Sequence, residues 1–176
     1  MSLPELAEKN KKTEILTLLK QSGTNVNHQN TYGQSALFMS CWRNYTDLIS
    51  LLLKHPNIHV NLRNIYGDCP FGRACADGNC DSVKLLLKDP RTDLNLQDNF
   101  GITPLMAACM YYGKTHTVQL LLAFGRLIDI DRLVTEKNAK VSVGSSALDI
   151  AKQKGKTEIV SLLHEYIANP LETAGK

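Results

Sequence analysis

A glycine recurs at a fixed interval along this chain, and the residues that follow it recur as well. Gly33, Gly67 and Gly101 succeed one another at intervals of 34 residues, and a similar stretch begins at Gly144. The octapeptides that open at these glycines are GQSALFMS, GDCPFGRA, GITPLMAA and GSSALDIA, and a leucine pair lies behind each of them. Self-similarity at such a period predicts a solenoid, in which each copy is one supersecondary unit that packs against its neighbours.

The third copy, residues 98–125, shows most clearly what one unit contains. Thr103 can cap a helix with its hydroxyl group, and Pro104 suits the first position of that helix. Gly113 is predicted to break the first helix and Gly125 to end the second, because glycine commonly follows a helix C-terminus. Two helices of about three turns each cannot bury their own apolar faces, so the unit requires neighbours on both sides.

These residues resemble the ankyrin repeat, whose pattern is D-x-x-G-x-T-P-L-H-x-A followed by G-x-x-x-x-V-x-x-L-L. The resemblance covers the chain from about Leu3 to Tyr166 and implies an all-α fold, an ankyrin-repeat solenoid of stacked helix–turn–helix repeats with β-hairpin fingers. The matching residues of the third copy are Asp98, Gly101, Thr103, Pro104, Leu105, Ala108, Gly113, Val118 and Leu121. The family's histidine is replaced in every copy, which implies the loss of its hydrogen bond to the turn threonine. The replacing residues are Phe38, Gly72, Met106 and Asp149.

The repeats predict a single domain over residues 1–167, followed by a C-terminal tail at 168–176. The first part, 1–29, matches the pattern poorly and is rich in charged residues, as suits a cap whose outer face meets water. The predicted repeats are 30–63, 64–97, 98–131 and 144–166.

An enlarged finger, residues 130–143, interrupts the last repeat. Asp129 and Gly144 are separated by 15 positions, where the earlier copies use six between the corresponding residues. The stretches 133–135 and 141–143 contain β-branched residues and flank a polar segment, which favours a β-hairpin over an irregular loop. We expect this finger to project at the C-terminal end of the finger row and to clamp a partner.

Composition excludes several classes of protein. The chain of 176 residues has 20 basic and 17 acidic residues and a net charge of +3, a balance that argues against a nucleic-acid or membrane surface. It contains no run of 18 apolar residues, and its N-terminus lacks the apolar segment of a secretory signal. Five cysteines in such a chain suggest free thiols and an intracellular location, cytoplasmic or nuclear.

The cysteines and histidines do not form a recognisable chemical site. Cys41, Cys75 and Cys109 recur at intervals of 34 and occupy one repeat position, which predicts buried packing between helices. Stacked repeats lie about 10 Å apart, whereas zinc–sulfur bonds are about 2.3 Å long, so one zinc ion cannot join that column. No histidine recurs beside a nucleophile or carboxylate. We therefore expect no catalytic residue, no metal and no cofactor.

Aromatic residues provide the candidate binding site. In ankyrin-repeat proteins the finger tips and first helices line the groove that binds partners, and tyrosine, tryptophan and arginine are enriched in binding hot spots. Tyr32, Tyr66 and Phe100 each precede a turn glycine. The sequence supports two roles for these three rings equally well, partner binding and stacking on neighbouring fingers. The predicted partner-binding residues are Tyr32, Gln34, Trp42, Arg43, Tyr66, Asp68, Phe100 and Tyr111.

The resemblance implies a non-catalytic protein–protein interaction module, monomeric on its own, that acts as a scaffold, adaptor or inhibitor through its concave groove. One alternative is an aromatic cage that recognises a methylated lysine or another cationic peptide; its rings would be Trp42, Tyr32, Tyr66 and Phe100. A weaker alternative is an RNA or nucleotide binder that uses aromatic stacking with Arg43, Arg63 and Arg73, which the near-neutral charge disfavours.

Overall fold

The computed structural model describes residues 1–111, 114–124, 128–137 and 139–169. Within those residues the regular secondary structure is ten helices joined by turns, so the predicted all-α class is confirmed. The helices are α1 (Leu3–Glu8), α2 (Lys12–Leu19), α3 (Ala36–Trp42), α4 (Thr46–Leu53), α5 (Pro70–Asp77), α6 (Cys80–Lys88), α7 (Pro104–Met110), α8 (Thr115–Ala123), α9 (Ala147–Gln153) and α10 (Thr157–Ala168). Among them, no helix is both long and apolar enough to cross a membrane.

The helices pack as consecutive antiparallel pairs, and the pairs stack in chain order. The first helices of the pairs, α1, α3, α5, α7 and α9, contact one another in sequence. The second helices, α4, α6, α8 and α10, form a parallel outer layer. One continuous apolar core runs between the two layers, and Cys41, Cys75 and Cys109 are buried in it as predicted. This arrangement confirms the stacked-repeat solenoid.

Side-chain caps explain why the first helices begin where they do. Ser35 Oγ, Cys69 Sγ, Thr103 Oγ1 and Ser146 Oγ each accept a hydrogen bond of 3.2 Å from the backbone N–H three residues later. In the fourth copy Asp149 replaces the family's histidine and accepts hydrogen bonds of its own. There the backbone N–H and the hydroxyl of Ser146 both donate to Asp149 Oδ2, at 3.0 and 2.7 Å, because a carboxylate at this position completes a capping box.

A column of asparagine side chains ties each repeat to the next. Asn61 Nδ2 donates to the carbonyl of Arg91 (2.8 Å), and its Oδ1 accepts from the N–H of Asp93 (2.9 Å). Asn27 makes the corresponding pair of bonds one repeat earlier, and Asn95 accepts the corresponding N–H one repeat later. Since each amide joins connections in two successive repeats, the column fixes the stacking distance and supports a rigid solenoid.

The enlarged finger differs from the predicted hairpin. Val134 pairs with Gly144 and Ser145, through bonds of 2.9 and 3.0 Å, and these two residues lie just beyond the predicted second strand, 141–143. The side chain of Val141 is 6% exposed and packs in the core. Asn138 lies outside the described residues, as do Gly113, Gly125 and most of the predicted tail 168–176. Among the described residues the β pairing amounts to one isolated bridge, between Gln29 and Ser35.

Candidate partner-binding groove

The fingers form a row in which each finger donates at least one backbone hydrogen bond to the finger before it. The pairs are Ile65 N–H to Tyr32 O, Asn99 N–H to Tyr66 O and Thr135 N–H to Phe100 O, each with an N···O distance of 3.1 Å. The three aromatic residues therefore lie in a line, as the repeat register predicts. Their side chains are 56%, 54% and 39% exposed, so burial in the fold does not account for them.

A cavity of about 380 Å³, here called the central groove, lies between this row and the first helices. Its rim carries Tyr66 and Phe100 from two successive fingers, Tyr111 from the end of α7, and Lys140 from the enlarged finger. A second set of lining residues, all with apolar side chains or none, forms its floor. These residues are Gly72, Ala76, Leu96, Ile102, Ala107 and Met110. Gly72, Ala76 and Ala107 are small and leave space above the floor, and the rim offers aromatic surface.

The enlarged finger borders the central groove at its C-terminal end. Lys140 Nζ donates to the Tyr111 hydroxyl at 2.7 Å, and the Lys140 carbonyl accepts from Lys154 Nζ of the following turn at 2.9 Å. Lys156 Nζ also donates to the carbonyl of Tyr111. These bonds hold the finger and the Tyr111 ring in one position, so this end of the groove is formed before any partner arrives.

The central groove also contains charged side chains. Asp68 and Asp98 line it from two successive fingers, and Arg73 lines it from α5. Arg73 is paired with Asp77, at 2.7 and 3.1 Å. Burial raises the pKa of Asp98, and the charge of Asp68 raises it further, against the lowering effects of two backbone N–H groups and of the nearby Arg63. The ionised carboxylate of Asp98 is thus held at some cost in the free protein.

Comparison with known families agrees with this architecture. The family model described as ankyrin repeats (3 copies) matches residues 5–98 and again residues 71–174. The chain belongs to the ankyrin-repeat family. Ankyrin-repeat domains are generally protein-binding modules and typically non-catalytic. A comparison with curated proteins finds no match to the chain.

Trp42 lies one repeat away from the central groove of this ankyrin domain. Its ring is half-buried, and the guanidinium groups of Arg43 and Arg73 each lie 4.7 Å from the ring centroid. Arg43 also pairs with Glu8 at 3.3 Å, across to α1. The tryptophan therefore already has cationic neighbours within the protein, and it touches the groove only indirectly, through Arg73.

The structure brings half of the predicted site residues together. Tyr66, Asp68, Phe100 and Tyr111 line the central groove, whereas Tyr32, Gln34, Trp42 and Arg43 do not. Asp98 and Lys140 are among the lining residues that the predicted site does not include. Lys140 carried no pattern that could have identified it. Asp98 could have been found by aligning the ankyrin fingers, because Asn30 and Asn64 hold the same turn position without a charge.

Proposed function

We propose that this ankyrin-repeat domain is a non-catalytic module that binds a partner protein along the central groove, as a scaffold, adaptor or inhibitor. The observation that carries the proposal is the exposure of three aromatic rings around one cavity: Tyr66, Phe100 and Tyr111. Because these rings are exposed, they are not needed to complete the core. Large aromatic side chains beside a pocket are the residues that most often dominate binding energy at protein interfaces.

Rigidity is the second feature that supports binding. The rim is held by the bond from Lys140 to Tyr111, and the finger row by bonds such as Thr135 N–H to Phe100 O. The asparagine column fixes the spacing of the repeats beneath. A surface that is ordered before association loses less conformational entropy on binding, so more of the contact energy becomes affinity.

Site-specific photo-crosslinking tests this proposal. A benzophenone amino acid replaces Tyr111 in one protein and Lys84, an exposed residue of the outer helix α6, in another. In an extract of the source cell, we expect the groove position to give discrete cross-linked proteins that an excess of unlabelled parent protein suppresses. If position 84 gave the same bands, or position 111 gave no suppressible band, the groove would not be the binding site.

The cage for a methylated lysine is a second candidate, because Tyr66 and Phe100 both line the central groove beside carboxylates. The other two rings of the predicted cage, Tyr32 and Trp42, do not line it, so the four-ring cage is not assembled in this structure. A trimethyl-lysine peptide titrated against the unmodified peptide distinguishes this function from a general protein interface. Tighter binding of the methylated peptide would favour the cage.

The arginines of the RNA alternative already interact within the protein. Arg63 donates to the carbonyl of Gly67 (2.9 Å) and to Asn99 Oδ1 (3.1 Å), and Arg43 and Arg73 have the acidic partners described above. Phosphate contacts would have to compete with these bonds. A steep fall of RNA affinity with salt would be the evidence for this function.

A further inference from the structure

Asp98 carries a charge that its place in the fold does not require. Its Oδ1 accepts from the N–H groups of Phe100 and Ile102, at 2.8 and 2.9 Å, and so closes the turn of the third finger. In the first two fingers Asn30 and Asn64 do the same with a neutral amide, at 2.9 to 3.0 Å. The carboxylate is therefore additional to what the turn needs.

Asp68 is a second carboxylate of this kind. It follows the turn glycine of the second finger, and its Oδ2 accepts from Asn64 Nδ2 at 3.2 Å. Gln34 holds the same position in the first finger, where its Oε1 accepts from Asn30 Nδ2 at 3.0 Å. An amide again serves the fold as well as a carboxylate, and the two surplus negative charges face the same central groove.

The cations around the central groove are engaged elsewhere. Arg73 pairs with Asp77, and Lys140 donates to the Tyr111 hydroxyl. None of the ion pairs among the described residues involves Asp68 or Asp98. Arg63 is near enough to act on Asp98 through its charge, but its nitrogens donate to Gly67 and Asn99. Lys140 keeps its charge at the rim, so the negative part of the groove lies between the second and third fingers, where a positively charged ligand would complement Asp68 and Asp98.

We propose that the central groove takes a lysine or arginine side chain of the partner protein, with its cation between the carboxylates of Asp68 and Asp98. This inference rests on the proposed function. The cavity of about 380 Å³ is far larger than a metal ion, and its floor of Gly72, Ala76 and Met110 suits an aliphatic stem. Charge-assisted hydrogen bonds beside aromatic walls, where water is partly excluded, then fix the position of the partner segment.

The test uses three small probes that differ only at the end of the side chain: the N-acetyl, C-methylamide derivatives of lysine, arginine and norleucine. Each is titrated into the full chain and followed by the backbone amide signals in two-dimensional NMR. We expect the lysine and arginine derivatives to give saturable shifts at Asp68, Phe100 and Ile102. The norleucine derivative, which has the stem without the charge, is expected to bind about tenfold more weakly or not at all.

Two variants remove the charges with residues that the chain itself uses at those positions. Asp98→Asn follows Asn30 and Asn64, and Asp68→Gln follows Gln34, so both are expected to fold normally. Each variant should bind the lysine derivative about tenfold more weakly than the parent does, which is the effect of losing roughly one charge-assisted hydrogen bond. Asp81→Asn, at an exposed carboxylate of α6, is the matched control and should leave binding unchanged.

Three results would overturn the inference. The lysine and norleucine derivatives could give equal or equally absent shifts, the two variants could bind the lysine derivative as the parent does, or calcium alone could shift the same signals. If any of these occurs while cross-links from position 111 persist, the groove binds its partner without a cation. If the cross-links fail as well, the proposed function fails with it.

Discussion

Replacing Leu86 by alanine is expected to destabilise the protein by about 3–5 kcal/mol. Leu86 lies in α6, is 0% exposed, and packs in the core between helices of the flanking repeats. The change removes three carbon atoms, worth about 2.4 kcal/mol of burial at roughly 0.8 kcal/mol each. The remaining cavity adds about 1–2 kcal/mol, because the asparagine column holds α4 and α8 apart and limits their collapse into the space.

The assay is equilibrium unfolding in urea, followed by far-ultraviolet circular dichroism. Lys84→Ala, at an exposed position of the same helix, is the control and should change the free energy of unfolding by less than about 0.5 kcal/mol. The dependence on urea should be the same for parent and variants, since the surface exposed on unfolding hardly changes. If Leu86→Ala costs no more than Lys84→Ala, the assignment of core positions to the repeats is wrong.

The remaining predictions concern the thiols, the turn charge and the enlarged finger. Burial raises the pKa of Cys41, Cys69, Cys75 and Cys109, to about 11 for Cys69 and about 12 for Cys109. These four thiols should therefore react with an aromatic disulfide only after unfolding. The half-exposed thiol of Cys80 should react in the native protein. Because the unfolded thiols ionise near pH 9.0 and the folded ones only at higher pH, the free energy of unfolding should fall as pH rises above about 9; a flat profile between pH 8 and 10 would contradict this. Asp98→Asn should leave that free energy unchanged or raise it at pH 7, as measured by urea unfolding, since burial and the charge of Asp68 oppose ionisation at this position. Lys140→Ala should preserve the fold, judged by circular dichroism, and weaken binding of the cross-linked partner, and unaltered affinity would show that the finger is not a clamp.

The overall architecture could be predicted because the same local sequence signals recur in successive repeats. The first helices α3, α5, α7 and α9 each begin at a cap residue, and the glycine turns return at the same register, so the all-α solenoid and the buried cysteine column both follow from spacing. The repeat boundaries at 30–63, 64–97, 98–131 and 144–166 remain predictions, because the helices constrain them only within the connecting turns.

The site was harder to predict because its residues come together through tertiary contacts that the repeat does not specify. Lys140 reaches Tyr111 from a segment with no counterpart in the other repeats. Trp42 was predicted from its residue type and its place near the end of a first helix, and the sequence does not show that Arg73 of the next repeat lies over its ring. The hairpin prediction relied on the β-branched residues of 141–143, whereas Val134 pairs with Gly144 and Ser145, whose side chains give no strand signal.

The affinity of the cross-linked partner for parent protein and for Phe100→Ala tests the account most directly. Isothermal titration gives both dissociation constants, and Lys84→Ala serves as the control outside the groove. We expect Phe100→Ala to weaken binding by about 2 kcal/mol, roughly 30-fold, because an exposed ring on the groove rim is the kind of residue that carries hot-spot energy. Equal dissociation constants for the parent and Phe100→Ala would contradict the claim that the central groove is the binding site.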